Sequence, residues 1–343
     1  MPIQRLSILD QSVAVAGRGE DAALRDSLDA AVLAEQLGYA RYWVSEHHNL
    51  PAIVGTAPEV LMAAIAARTT RIRIGSAGVM LPHYAAFKVA EQFRVLDALA
   101  PARIDLGVGR APGGDRRTAM ALNPYASGMA EVFPQQVQQL AAWVSGQALG
   151  GIVAHPRPAP DRERNTTPAL WMLGSSDYGA RLAAELGMPY AFAYFFTDGQ
   201  GVEQALHLYR TLYKPSARHP EPQVTICVWA LAAPTDDEAQ HLALSRERWR
   251  VDRARNLLGP LLAPDVVASR GFTADEQPMV DAMRRRAFVG SAQTVRDKLD
   301  ALAQSLGLDE LVVNTWTHDP AMRQRSMRLV AGVYGLLAAP STA

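Results

Sequence analysis

The chain is poor in cysteine, in net charge and in long apolar runs, and each scarcity removes a class of protein. It has one cysteine in 343 residues, Cys227, set in an apolar stretch. An intramolecular disulfide framework is therefore impossible, and a reducing, cytoplasmic setting is expected. A formal net charge of +0 argues against a general nucleic-acid binder. No basic segment followed by an apolar one opens the chain, so no signal peptide is read. No uninterrupted apolar run reaches membrane-spanning length, so no membrane partner is expected. Motifs are missing as well. Gly107-x-Gly109 lacks the third glycine of a dinucleotide-binding turn, and no nucleotide phosphate loop occurs. Glu46-His47-His48 does not set two histidines four apart, as a zinc-binding helix does, and no metal ligand is assigned. The sequon Asn165-Thr166-Thr167 is read as chance.

What is present is a hydrophobic content of 49%, ample for a large core, distributed as alternating strand-like and helix-like segments. Strands are expected at Ile3 to Asp10, Arg41 to Glu46, Arg71 to Ala77, Arg103 to Val108, Ala169 to Leu173, Tyr190 to Tyr194, Val224 to Ala232 and Leu311 to Asn314. Helices fall between them: Asp21 to Leu37 repeats Leu24, Leu28 and Val32 and stops at Gly38. Others are Pro58 to Arg68, Ala86 to Leu99, Pro134 to Ser145, Tyr178 to Leu186, Val202 to Tyr213, Asp236 to Arg255, Ala292 to Leu306 and Ala321 to Leu337. Gly146 to Pro168 is loop by composition. The alternation predicts one α/β domain over residues 1–343, a TIM (β/α)₈ barrel. Gly259 to Arg286 breaks the alternation and is read as an insertion near the C-terminal third, a lid over the barrel mouth.

In such a barrel the chemistry lies at the carboxyl ends of the strands. Four segments stand there. In Tyr42 to Asn49 the two-residue period puts Trp43, Ser45 and His47 on one face and Tyr42, Val44 and Glu46 on the other. Gly75-Ser76-Ala77-Gly78 carries no bulky side chain, and suits either a flat ring lying on the backbone or tight packing in the barrel floor. Arg110, after the Gly107-Val108-Gly109 strand end, can reach a phosphate in bidentate fashion or make a salt bridge on the rim. Gly174-Ser175-Ser176 opens a helix near Tyr178, either as an anion site or as a plain cap. The arginines Arg246, Arg248, Arg250, Arg253 and Arg255 read as a solvated helix face, with a subunit contact or an anionic partner site as the other reading.

Taken together, several of these stretches resemble one family. Leu6 to Asp10, Arg41-Tyr42-Trp43 with Glu46-His47-His48-Asn49, Gly78-Val79-Met80-Leu81-Pro82 and Ala90-Glu91-Gln92-Phe93 are similar to the bacterial-luciferase-like, flavin-dependent monooxygenases. So are Arg103 to Gly107 with Gly109 to Gly113, Leu173 to Ser176 and Lys214 to Arg218. The resemblance is greatest to the single-chain luciferase-like subgroup, and it runs almost the length of the chain. It implies FMN at the carboxyl face of the barrel. His47 takes the place of the active-site histidine. Ala77-Gly78 takes that of a cis peptide under the flavin ring. Arg110 and Ser176 take those of phosphate ligands, with Gly174, Ser175 and Tyr178 around them. It implies a homodimer pairing through Pro58 to Arg68 and Ala86 to Leu99. A separate flavin reductase would supply reduced FMN, which reacts with O₂ through a C4a-hydroperoxyflavin to oxygenate a small organic substrate. His47 is expected to titrate near neutral pH and to act as acid and base. Gly109 stands where the luciferase α chain has a reactive cysteine, which argues against light emission. A deazaflavin-dependent oxidoreductase, a non-catalytic flavin-binding protein and a metal-dependent hydrolase built on Glu46, His47 and His48 are the other readings. The substrate is not legible.

Overall fold

The alternation of strand and helix closes into a ring. A computed structural model describes residues 3–111, 113–125, 128, 130–158 and 167–336. The first half runs β1 (Arg5–Asp10), α1 (Glu20–Leu37), β2 (Arg41–Val44), α2 (Pro58–Arg68), β3 (Arg73–Met80), α3 (Ala86–Leu99), β4 (Ile104–Gly109), α4 (Arg116–Leu122) and α5 (Phe133–Val144). It continues with β5 (Ala169–Gly174), α6 (Asp177–Glu185), β6 (Tyr190–Phe192), α7 (Tyr194–Thr197), α8 (Val202–Leu212), β7 (Val224–Ala233) and α9 (Asp236–Ala254). Last come α10 (Pro264–Arg270), α11 (Gln277–Arg285), β8 (Phe288–Ser291), α12 (Ala292–Leu306), β9 (Glu310–Asn314) and α13 (Pro320–Tyr334). The strands pair in parallel in the order β6-β5-β4-β3-β2-β1-β9-β7, and a β6–β7 pairing closes the barrel.

The period of two along each strand divides the apolar residues into two cores. Tyr42, Ile74, Leu106, Met172 and Val228 point outward and meet the helices through Ala31, Ile65, Phe93 and Leu299. Leu9, Trp43, Trp171, Cys227 and Val312 point inward and fill the barrel, with Trp171 edge-on to Trp43 at 5.2 Å. Burial of side chains this size stabilises the fold by roughly 1.5–3 kcal/mol each. The helix stop at Gly38 is as expected: it adopts φ 84°, the left-handed geometry that favours glycine.

Four departures from the sequence reading have local causes. The second strand ends at Val44, because Glu46 leaves the ladder and its carboxylate accepts the Met80 N–H at 3.0 Å. The third strand instead runs on to Met80, with a shift of register between Ser76 and Val79. The sixth strand stops at Phe192, and Tyr194 to Thr197 turns into a short helix. A ninth strand, β8, pairs with Ala230 to Ala233 beyond the part of β7 that pairs with β9. Its four residues are too few to display a period. The segment 259–286 is largely helical. Phe272, Met279, Val280 and Met283 pack on Val251 of α9, and Leu261 pairs with Ala14 and Ala16 after β1. Within the 146–168 link, residues 159–166, with most of the sequon, lie outside the described residues; so do Pro112 and Leu337.

Candidate active site

The end of β2 separates its three ionisable residues onto two sides. His47 is half-buried, and its Nδ1 lies 3.2 Å from Ser45 Oγ. Burial, then Arg253 and His48, push its pKa down to about 4. At neutral pH the ring is therefore uncharged, which corrects the expectation of a near-neutral titration. Glu46 is buried, and its Oε1 lies 2.8 Å from His48 Nε2 and accepts the Tyr84 hydroxyl at 2.7 Å. With the Met80 bond on its other oxygen, Glu46 ties β2 to β3 and is not free to act on a ligand. Among the described residues no group of three His, Cys, Asp or Glu is arranged to hold a metal ion.

The neighbouring strand end is the small-residue wall. The Ala77–Gly78 peptide is cis, and both residues are half-buried. A Cβ at Gly78 would strike Leu173 and stand 2.7 Å from the Gly107 carbonyl oxygen. A Cβ at Gly75 would stand 2.5 Å from the Trp43 ring and 2.8 Å from Asp105. Gly75 thus answers to packing inside the barrel, the ordinary reading left open by its composition. Gly109 differs: a Cβ there meets nothing within 4 Å.

Around the ring, β4 and β5 bring together the residues with anion-binding chemistry. The Arg110 guanidinium lies 3.7 Å over the face of Tyr178. Among the described residues it has no carboxylate partner, so the rim salt bridge is not made. Ser176 occupies the N-cap position of the nine-residue α6, but its side chain makes no cap bond. The hydroxyls of the exposed Ser175 and Ser176 and the first N–H groups of the helix are left for other partners. The Gly174 carbonyl accepts the Ala193 N–H at 2.8 Å, joining β5 to the loop after β6.

Opposite these lies an aromatic roof that the sequence reading did not assign to the site. Trp229, Trp249, Trp316, Leu261 and Val15 form one apolar cluster at the barrel mouth, with Phe195 beside it. Only the inward phase of Trp229 on β7 hints at it in the sequence. Arg246 and Arg253 reach over this cluster from α9.

A closed parallel barrel with His47, Arg110 and Ser176 at or just past the carboxyl ends of its strands is the architecture of a barrel enzyme. The chain belongs to the luciferase-like monooxygenase family, whose profile matches residues 5–310. It is 39% identical over 327 residues to a luciferase-like monooxygenase of Escherichia coli (strain K12), covering 95% of this chain and 96% of that one. The crystal structure of apo-MsnO8 superposes with a TM-score of 0.88 at 34% identity, covering 98% of this chain and 99% of the other. The fold is also shared with the oxygenating constituent of 3,6-diketocamphane monooxygenase of Pseudomonas putida in complex with FMN, at a TM-score of 0.69 and 18% identity, covering 99% and 100% of the two chains.

Proposed function

We propose that this monooxygenase is the oxygenating component of a two-component system. It takes reduced FMN from a separate flavin reductase and uses O₂ to oxygenate a small organic substrate, in the cytoplasm. The observation that carries the reading is the meeting of Arg110, Tyr178 and Ser176 at one end of the barrel. A guanidinium with no carboxylate among the described residues, a hydroxyl without a cap bond and an open helix N-terminus suit a terminal phosphate. The flavin ring would lie against the Ala77-Gly78 peptide, whose own side chains are no larger than a methyl group.

Bound FMN supplies the activation of O₂, which side chains alone do not perform. The chain's own residues do the rest. Arg110 binds the phosphate and is itself held in place by the Tyr178 face. Ser175, Ser176 and the first amides of α6 share that charge. His47 is neutral, with Nδ1 turned to Ser45, so its Nε2 is the atom that gives or accepts a proton near the reacting centre. The tryptophan roof keeps water away from the ring.

Titration with FMN and with riboflavin tests the site. Charge-assisted hydrogen bonds contribute about 1.5–3 kcal/mol each, so Arg110→Ala weakens FMN binding by roughly 10- to 100-fold and riboflavin binding far less. Equal losses would remove Arg110 from the phosphate. Hydride transfer from a deazaflavin, with no O₂ uptake on reduced FMN, would replace the reading altogether. The chain is further proposed to be a homodimer through α2 and α3, whose Val60, Val95 and Leu99 are 66%, 47% and 68% exposed; a monomeric mass in light scattering would end that.

A further inference from the structure

The arginine run of α9 is not one solvated face. Arg248 and Arg255 meet Glu276 at 2.8 Å and 2.6 Å, and Arg248 also meets Asp252 at 2.7 Å. Arg250 reaches Asp198 at 2.7 Å. Glu247 is held by Arg284 through contacts of 2.9 Å and 2.7 Å. Arg246 is different. Its guanidinium lies 4.2 Å from the centre of the Trp229 ring, and among the described residues it has neither an ion pair nor a hydrogen bond. The carboxylates whose field reaches it, Asp198 and Glu247, are both engaged by other arginines. Burial, then the neighbouring Arg250, push its pKa down to about 9. Trp229 Nε1 is also buried without an acceptor. Two donors therefore stand at one place with nothing to receive them, a costly arrangement unless a ligand supplies the acceptor.

The place is informative. Trp229 is on the inward face of β7, and β7 is four strands from β3 in either direction around the ring. Arg246 thus stands across the mouth from Ala77-Gly78. Arg253, two helical turns further along α9, lies 5.3 Å from the centre of the Trp249 ring and acts electrostatically on His47. Trp249, Trp316 and Leu231, all buried and apolar, belong to the same cluster as Trp229.

We propose that the substrate of this monooxygenase carries a carboxylate, which the Arg246 guanidinium takes above Trp229. The apolar part of the substrate lies against Trp249 and Trp316 and reaches toward His47. The planar fork of arginine matches a carboxylate in bidentate geometry, and Trp229 supports the face of that fork. The apolar surroundings favour a monoanion on a hydrocarbon body over a doubly charged phosphate. The inference rests on the monooxygenase reading only in taking the barrel mouth as the place where substrate enters.

The test is calorimetric titration of the protein with straight-chain carboxylates of increasing length and with their amides. The wild type is expected to prefer at least one carboxylate over its amide by roughly 10-fold or more. Arg246→Gln abolishes the preference, and Arg246→Lys, which keeps the charge without the fork, restores part of it. FMN binding, titrated separately, is unchanged in both variants and shows that each is folded. No preference in the wild type, or its survival in Arg246→Gln, overturns the inference. A wild type that prefers carboxylates but fails to bind FMN would instead sink the flavin reading and leave this one standing.

Discussion

The two ends of the barrel are built from the same residue types and treat them in opposite ways. At the amino end Arg41 bonds Asp105 at 2.7 Å and Glu310 at 2.9 Å, and Arg73 bonds Asp105 at 2.5 Å. Trp43 Nε1 donates to Asp105 at 2.9 Å and Ser7 to Glu310 at 2.7 Å. Burial alone would raise the Asp105 carboxyl, but Arg41 and Arg73 hold it below the ordinary range. At the carboxyl end Arg110 and Arg246 face aromatic rings, and among the described residues the His47 ring is hydrogen-bonded to a hydroxyl alone. Even there a buried structural carboxylate is paired: Asp10 at the tip of β1 accepts from Arg323 at 2.9 Å. A buried charge is stable only when its partners are complete; Arg41, which also lies 5.1 Å from the centre of the Trp171 ring, keeps two carboxylates, whereas Arg110 and Arg246 have none among the described residues.

The comparison is broken most violently at the amino end. Asp105→Asn leaves two guanidiniums facing a neutral group, and loss of one partner of a buried ion pair typically costs about 3–5 kcal/mol. Chemical denaturation is expected to show a loss of that size. A stability within ~0.5 kcal/mol of wild type would mean that the cluster is not structural.

At the carboxyl end the effect moves from stability to rate. His47→Ala is expected to slow coupled oxygenation by roughly 10²–10⁴ while leaving the unfolding midpoint and FMN affinity nearly unchanged. His48→Ala does the reverse, because it removes the group that pairs with buried Glu46 at 2.8 Å. Full turnover in His47→Ala together with lost turnover in a folded His48→Ala would exchange the two assignments.

The smallest effect is a pH dependence. His47 titrates at about 4 in the folded chain against 6.5 for an unperturbed histidine. Between those values the unfolded chain binds a proton that the folded one refuses, so stability falls as the pH drops through this window. The fall ends below about 4, where both states are protonated. His47→Gln should flatten that part of the stability curve. An unchanged slope would mean that His47 is not held neutral.

Much of the fold is legible in the chain because local patterns and global packing agree. Pro58–Arg68, Ala86–Leu99 and Ala292–Leu306 are helices with the bounds their periodicity and punctuation suggest. The eight strands of the closed ring are those the alternation indicates. The strand ends Glu46 to His48, Ala77-Gly78, Arg110 and Ser175-Ser176 are legible as site candidates, because a parallel barrel leaves its chemistry nowhere else. Their sorting is not. Glu46 and His47 are adjacent and both ionisable, yet one is tied to the Met80 N–H, the Tyr84 hydroxyl and His48, while the ring of the other lies against the Ser45 hydroxyl.

The amino-acid sequence by itself determined the class of fold, the order of its elements and the residues able to do chemistry, since these follow from periodicity, turn residues and side-chain type. Only the tertiary structure decided which of those groups are satisfied. The five arginines of α9 look alike in sequence, and Glu276, Asp198 and Glu247, which neutralise or bypass them, come from other elements or face other partners. Whether a charge is a strut or a binding group depends on distances between residues far apart in the chain. Those distances are set when the sheet closes and α9 is laid across its mouth.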